Sequence, residues 1–98
     1  MIRPIQAVVD WYNRESFVRY AIRSGFRDET VRGDIRMVEG QPTDGFPGQL
    51  RKLDDNRSIH YCMALQRESN DVIVTALGID GLRSYSWKTQ PKEGTIWI

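Results

Sequence analysis

One cysteine and one histidine stand in the 98 residues. Cys62 therefore has no intramolecular disulfide partner, and with His60 it falls short of the four nitrogen or sulfur ligands of a structural zinc site. A lone thiol suits a reducing compartment, so the expected location is cytoplasmic. Long hydrophobic runs are missing as well, and no stretch approaches a membrane span. Arg3, Pro4 and Asp10 stand where a signal peptide would need its apolar core. No membrane contact, cofactor or metal is expected. The Gly- and Pro-rich stretch Gly40–Gly48 lacks the GxxxxGK[ST] spacing of a phosphate-binding loop, and Asp54-Asp55-Asn56 fits no EF-hand.

An excess of one charge is also absent. The formal net charge is +1, which argues against wholesale binding of nucleic acid or an anionic membrane. Lysine is scarce, appearing only at Lys52, Lys88 and Lys92, so arginine carries most of the positive charge. Guanidinium groups suit bidentate recognition of carboxylate or phosphate, although a preference for arginine codons would give the same bias. Hydrophobic residues make up 40% and charged residues 28%. These proportions fit one folded domain, residues 1–98, able to bury a core without disulfides or metal.

The informative stretch is Ser58 to Trp87. Ile59, Tyr61, Met63 and Leu65 alternate with His60, Cys62, Ala64 and Gln66, the period of a strand with one buried face. Val72–Ile79 is β-branched and apolar on both parities, as in a central strand. Asp80-Gly81 suits a two-residue type I′ turn. That turn sets Ala76 opposite Tyr85 and Val74 opposite Trp87, and a turn at Ser69-Asn70 sets Leu65 opposite Val74. Both pairings send Tyr61, Met63, Leu65, Val74, Ala76, Tyr85 and Trp87 to one face. His60, Cys62, Thr75, Ser84, Ser86 and Lys88 fall on the other.

Before this meander the chain reads as helical over about 4–25. Pro4 suits a first turn and Gly25 a left-handed terminator. Ile5, Val8, Val9 and Tyr12 make one apolar stripe; Phe17, Val18, Ala21 and Ile22 resume it after a disturbance near Asn13. A single helix with a kink there, or a second helix capped by Asn13, would both fit. The stripe is expected against the Tyr61/Met63/Tyr85/Trp87 face. Glu15 and Arg19 make an i,i+4 pair, and Arg19, Arg23 and Arg27 a basic ridge. Ile35, Met37 and Val38 suggest a short edge strand after a turn at Arg27-Asp28-Glu29. Residues 40–49 read as a loop carrying Phe46, Gln49–Leu53 as a helical turn, and Thr95-Ile96-Trp97-Ile98 as a last strand that pairs in the sheet or forms an interface.

The fold expected is therefore α+β: an N-terminal helix or helix pair packed on one face of a three- to four-stranded antiparallel sheet, a C-terminal β-meander over 58–98. No motif reveals a biochemical activity. The preferred reading is a small non-enzymatic protein-binding module of the inhibitor, immunity or viral antagonist kind. Its candidate binding residues are Arg19, Arg23, Arg27, Phe46 and Trp97, and its partner is a protein with an acidic surface. A homodimer through the C-terminal strand is a second arrangement.

The order of a helical half, Leu50-Arg51-Lys52-Leu53, Ile59-His60-Tyr61 and Val72–Gly78 resembles that of RelE/ParE-type toxins. The resemblance covers the last half of the chain. It implies helices on an antiparallel sheet and RNA cleavage without metal, with His60, Arg57 and Lys88 as catalytic candidates and Arg83 or Tyr85 beside them. The chain departs from that pattern in having no strand ahead of the helices, and Arg83 and Tyr85 fall on the face opposite His60.

Overall fold

Pro4 lies in the first turn of a helix that runs unbroken from Arg3 to Arg23 (α1, Arg3–Arg23), and the way this helix stops directs the chain back into the protein. Gly25 takes φ +106°. The Phe26 amide donates to the Ala21 carbonyl and the Gly25 amide to the Ile22 carbonyl, each over 3.0 Å. This is a Schellman closure, with glycine in the conformation that a side chain would oppose. Phe26, the residue beyond it, is buried in the core.

The computed structural model describes residues 3–41, 49–52, 57–66 and 70–90. After α1 come α2 (Asp28–Glu39) and four strands: β1 (Gln49–Lys52), β2 (Ser58–Leu65), β3 (Val72–Leu77) and β4 (Ser84–Thr89). The strands form one antiparallel sheet in the order β1-β2-β3-β4. Both helices pack on the same face of it, the α+β arrangement expected from the sequence.

Period two correctly assigns the strand faces. Ile59, Tyr61, Val72, Val74, Ala76 and Trp87 are buried, and Met63 and Tyr85 pack against them. Ala76 lies opposite Tyr85 and Val74 opposite Trp87, as the sequence suggests. The loop between those strands is longer than the expected two residues. The Gly78 amide pairs with the Arg83 carbonyl (2.8 Å), and the Gly81 amide reaches the Gly78 carbonyl (2.9 Å). The turn is therefore centred on Ile79-Asp80, and Gly81 follows at φ +74°. Between β2 and β3 the register is shifted by two residues, Leu65 pairing with Val72 instead of Val74. An even shift keeps every side chain on its face, but Leu65 now ends the strand and is 38% exposed.

Three local expectations are overturned. Residues 28–39 are helical, not the edge strand that Ile35, Met37 and Val38 suggest, because Val31, Ile35 and Val38 recur at i, i+4 and i+7 and all three are buried. Arg27 is the extended residue before that helix. Gln49–Lys52 is strand β1 where a helical turn was read; pairing with Ser58–Tyr61 overrides its helical propensity. Glu15 turns from Arg19 to Arg32 of α2, accepting from Nη1 and Nη2 over 2.7 and 2.8 Å.

The largest correction concerns α1. Its buried residues are Phe17, Val18, Tyr20 and Ala21. Phe17 holds an edge contact with Tyr61 and stacks on Trp87, with ring centroids 6.1 and 6.0 Å apart. Ile5, Val8, Val9, Tyr12 and Ile22, expected against the sheet, are exposed, and so is Trp11. In an unbroken helix of 3.6 residues per turn, the Ile5/Val8/Tyr12 stripe lies roughly opposite Phe17 and Ala21. Only one of the two can face the sheet. The face in phase with Phe17 is polar farther up the helix, where Asp10 Oδ1 accepts the backbone amide of Lys88 in the edge strand β4 (3.1 Å) and the side-chain Nε2 of Gln6 (3.1 Å).

Candidate protein-binding surface

The C-terminus of α1, the start of β2 and the β3–β4 turn meet at one end of the sheet. Around their junction is an open cavity of about 460 Å³ lined by Tyr20, Arg23, Ser24, Arg57, Ile79, Asp80 and Arg83. Among these described lining residues three are arginines, each from a different segment, and one, Asp80, is an acid.

Each wall is fixed by a contact that can be named. The Tyr20 hydroxyl accepts the Ile79 amide over 2.9 Å, pinning the β3–β4 turn to α1. It passes so close to Gly78 that a Cβ there would lie 2.7 Å from it. Arg83 lies over the Tyr20 ring, its Cζ 5.6 Å from the centroid, and Arg57 lies over Phe26 at 5.4 Å. The Arg57 guanidinium occupies the space that a Cβ on Gly25 would need, 2.5 Å from Nη2. Gly25 is required by its φ of +106°, while the Arg57 guanidinium could swing aside for a side chain there. Ser24 Oγ donates to the Tyr20 carbonyl (2.9 Å), and Asp80 Oδ1 accepts the Leu82 amide (2.9 Å). Arg23 is exposed in the last turn of α1, where the helix dipole favours a cation. Guanidinium groups held against rings at a rim can donate bidentately to carboxylate or phosphate oxygens with little side-chain ordering left to do.

Of the binding residues read from the sequence, Arg23 lines this cavity. Arg19 is exposed one turn back on α1, and Arg27 is exposed at the entry to α2. Phe46, Trp97 and Asp54-Asp55-Asn56 lie outside the described residues. Arg83 and Arg57 were named only through the toxin resemblance, and Tyr20 and Phe26 not at all. Antiparallel order carried part of the signal, since the start of β2, the end of β3 and the start of β4 must share one end of the sheet.

The residues of the ribonuclease alternative are not brought together. His60 is exposed on the outer face of β2. Lys88 shares that face but lies four residues along and two strands across, roughly 16 Å away at ordinary strand spacings. Arg57 packs on Gly25 and Phe26, on the helix side. Cys62 is exposed and pairs across to Thr75, not to His60. A second groove, of about 930 Å³, runs between the N-terminal half of α1 and β4. Its charged centre is satisfied internally: Arg14 donates Nε and Nη2 to Glu39 over 3.0 and 3.1 Å, and the Trp87 indole donates to the same carboxylate.

No helix among the described residues is long and apolar enough to cross a membrane, and no three His, Cys, Asp or Glu side chains among them group as metal ligands. Comparison of the chain with protein-family models, with curated proteins and with solved structures gave no match.

Proposed function

We propose that this chain is a protein-binding module that acts through surface contacts, as inhibitors and immunity proteins do, on a partner presenting an acidic surface. The observation that carries this reading is the meeting of Arg23 and Arg83, both exposed, around one open cavity whose wall also holds Arg57 against Phe26. Arg19 carries the same sign one turn back on α1, whereas Arg27 is exposed beside Asp28 and Glu29. Complementary charge of this kind sets partner choice and encounter rate.

Reversal of the exposed charges tests it. Purified Arg23→Glu/Arg83→Glu protein should fold as wild type yet recover its partner from the producing cells at least about tenfold less efficiently, a loss of about 1.4 kcal/mol. Recovery equal to wild type rejects the reading. The alternative, RNA cleavage from the His60 face, predicts that the purified protein degrades RNA and that His60→Ala slows this by orders of magnitude. The binding reading predicts intact RNA and no effect of His60→Ala on partner recovery.

A further inference from the structure

The side of α1 turned away from the sheet changes character along its length. Its first turns carry Ile5, Val8, Val9 and Tyr12, which are 67%, 63%, 44% and 57% exposed. Their spacing of i, i+3, i+4 and i+7 gathers them into one stripe. Farther along, the same side carries Arg19 and Arg23, also exposed. From Ile5 to Arg23 this ridge is about 27 Å long at 1.5 Å per residue. A contiguous patch of large apolar side chains on a small protein marks a contact surface, and this spacing is that of anchors on a helix that fills a partner's groove.

We infer that α1 is itself the ligand element. Its outward ridge docks lengthwise into a groove on another protein, apolar beneath Ile5, Val8, Val9 and Tyr12 and acidic beneath Arg19 and Arg23. This rests on the acidic-partner reading above and adds to it the shape and the apolar half of the partner's site.

Charge and layout select that occupant over a second copy of the chain and over a lipid surface. A second copy laid parallel would set Arg19 against Arg19 and Arg23 against Arg23. Laid antiparallel over its full length, it would set arginines against the apolar turns. Only an offset antiparallel pair would match stripe to stripe, and it would overlap over about two helical turns, far below the roughly 800 Å² per partner of a stable interface. A helix lying in a lipid surface carries its apolar stripe along its whole length with basic residues on the polar face. Here the apolar and basic residues follow one another along the axis on a single side.

Photocrosslinking of the full chain in the producing cells tests the inference. Val9→p-benzoylphenylalanine and, separately, Arg19→p-benzoylphenylalanine are irradiated, and the products are mapped by mass spectrometry. Both positions should mark the same partner chain, at apolar residues from position 9 and next to acidic residues from position 19. Val8→Asp should lower the crosslinking yield from position 19 at least tenfold without changing the melting temperature. Crosslinks from position 9 to a second copy of this chain, to lipid, or to nothing, while position 19 still marks a protein, overturn the helix docking and leave the acidic-partner reading standing. An unchanged yield in Val8→Asp overturns it in the same way. If position 19 marks no protein either, both readings fall.

Discussion

The indole N–H of Trp87 donates to Oε2 of Glu39 over 2.7 Å, across 48 residues of sequence. The same oxygen receives Arg14 Nε over 3.0 Å. One carboxylate at the end of α2 therefore ties that helix to both α1 and the edge strand, at a site where Trp87 is fully buried and Glu39 nearly so. Glu39→Ala would leave the indole N–H and the guanidinium facing no acceptor, and should cost roughly 2–4 kcal/mol. Glu39→Gln retains an acceptor and should cost less. Urea denaturation checks this: the midpoint should fall in that order with the slope unchanged.

Tyr20 and Gly78 form a second joint, and their dependence on each other can be measured. Gly78→Ala would bring a methyl group within 2.7 Å of the Tyr20 hydroxyl, and overpacking of this kind costs about 1–3 kcal/mol. Tyr20→Phe removes the acceptor of the Ile79 amide, a loss of about 1 kcal/mol. The double variant removes the oxygen that the new methyl group meets. Its cost should be clearly less than the sum of the two, and a strictly additive result would show that the close approach is absent.

Acid should loosen the helix pair in a predictable direction. The hydrogen bond from Arg32 holds the Glu15 carboxyl below its ordinary value of 4.5; partial burial opposes this, and the positive charge of Arg32 reinforces it. The folded value lies below the unfolded one. The pair's contribution is therefore complete above the unfolded value and disappears as the pH falls through the folded one. Glu15→Gln should be less stable than wild type at neutral pH, and the difference should vanish in acid. Denaturation midpoints measured across that range should converge; parallel curves would show that Glu15 does not titrate with folding.

The outer face of the sheet offers a chemical check on register. Cys62 is exposed beside Thr75, where Thr75 Oγ1 and Ser86 Oγ lie 2.9 Å apart. One thiol per native chain should react with a disulfide reagent at nearly the rate of the unfolded protein, and Cys62→Ser should leave stability within about 0.5 kcal/mol. A slip of one residue would bury this thiol and abolish its native reactivity.

The strands were legible because their signal is local. Tyr61, Met63, Tyr85 and Trp87 alternate with polar or small neighbours, and alternation puts them on one face; Val74 and Ala76, in a run apolar on both parities, join that face through their pairing with Trp87 and Tyr85. Helix α2 was legible in principle through Val31, Ile35 and Val38, but Gly33 and the buried Asp34 interrupt the stripe, and the β-branched residues beside them resemble a strand. The residues around the arginine cavity left a weaker trace. Arg83 follows the Asp80-Gly81 turn and Arg57 precedes β2, so strand order gives them a common end of the sheet. Nothing in the spacing of residues told that α1 ends there too.

Side-chain alternation is a property of a few consecutive residues, so the sequence by itself determined the two faces of the sheet, the end of α1 at Gly25 and the absence of a zinc or disulfide framework. The rotation of α1 about its own axis is a different kind of quantity. Two apolar stripes compete on it, and neighbours along the chain cannot rank them. Phe17 packs among Tyr61, Tyr85 and Trp87, and on the same side of the helix Asp10 accepts the Lys88 amide. Only the packed structure decided which stripe went inside and which was left exposed, because burial is fixed by contacts between distant segments.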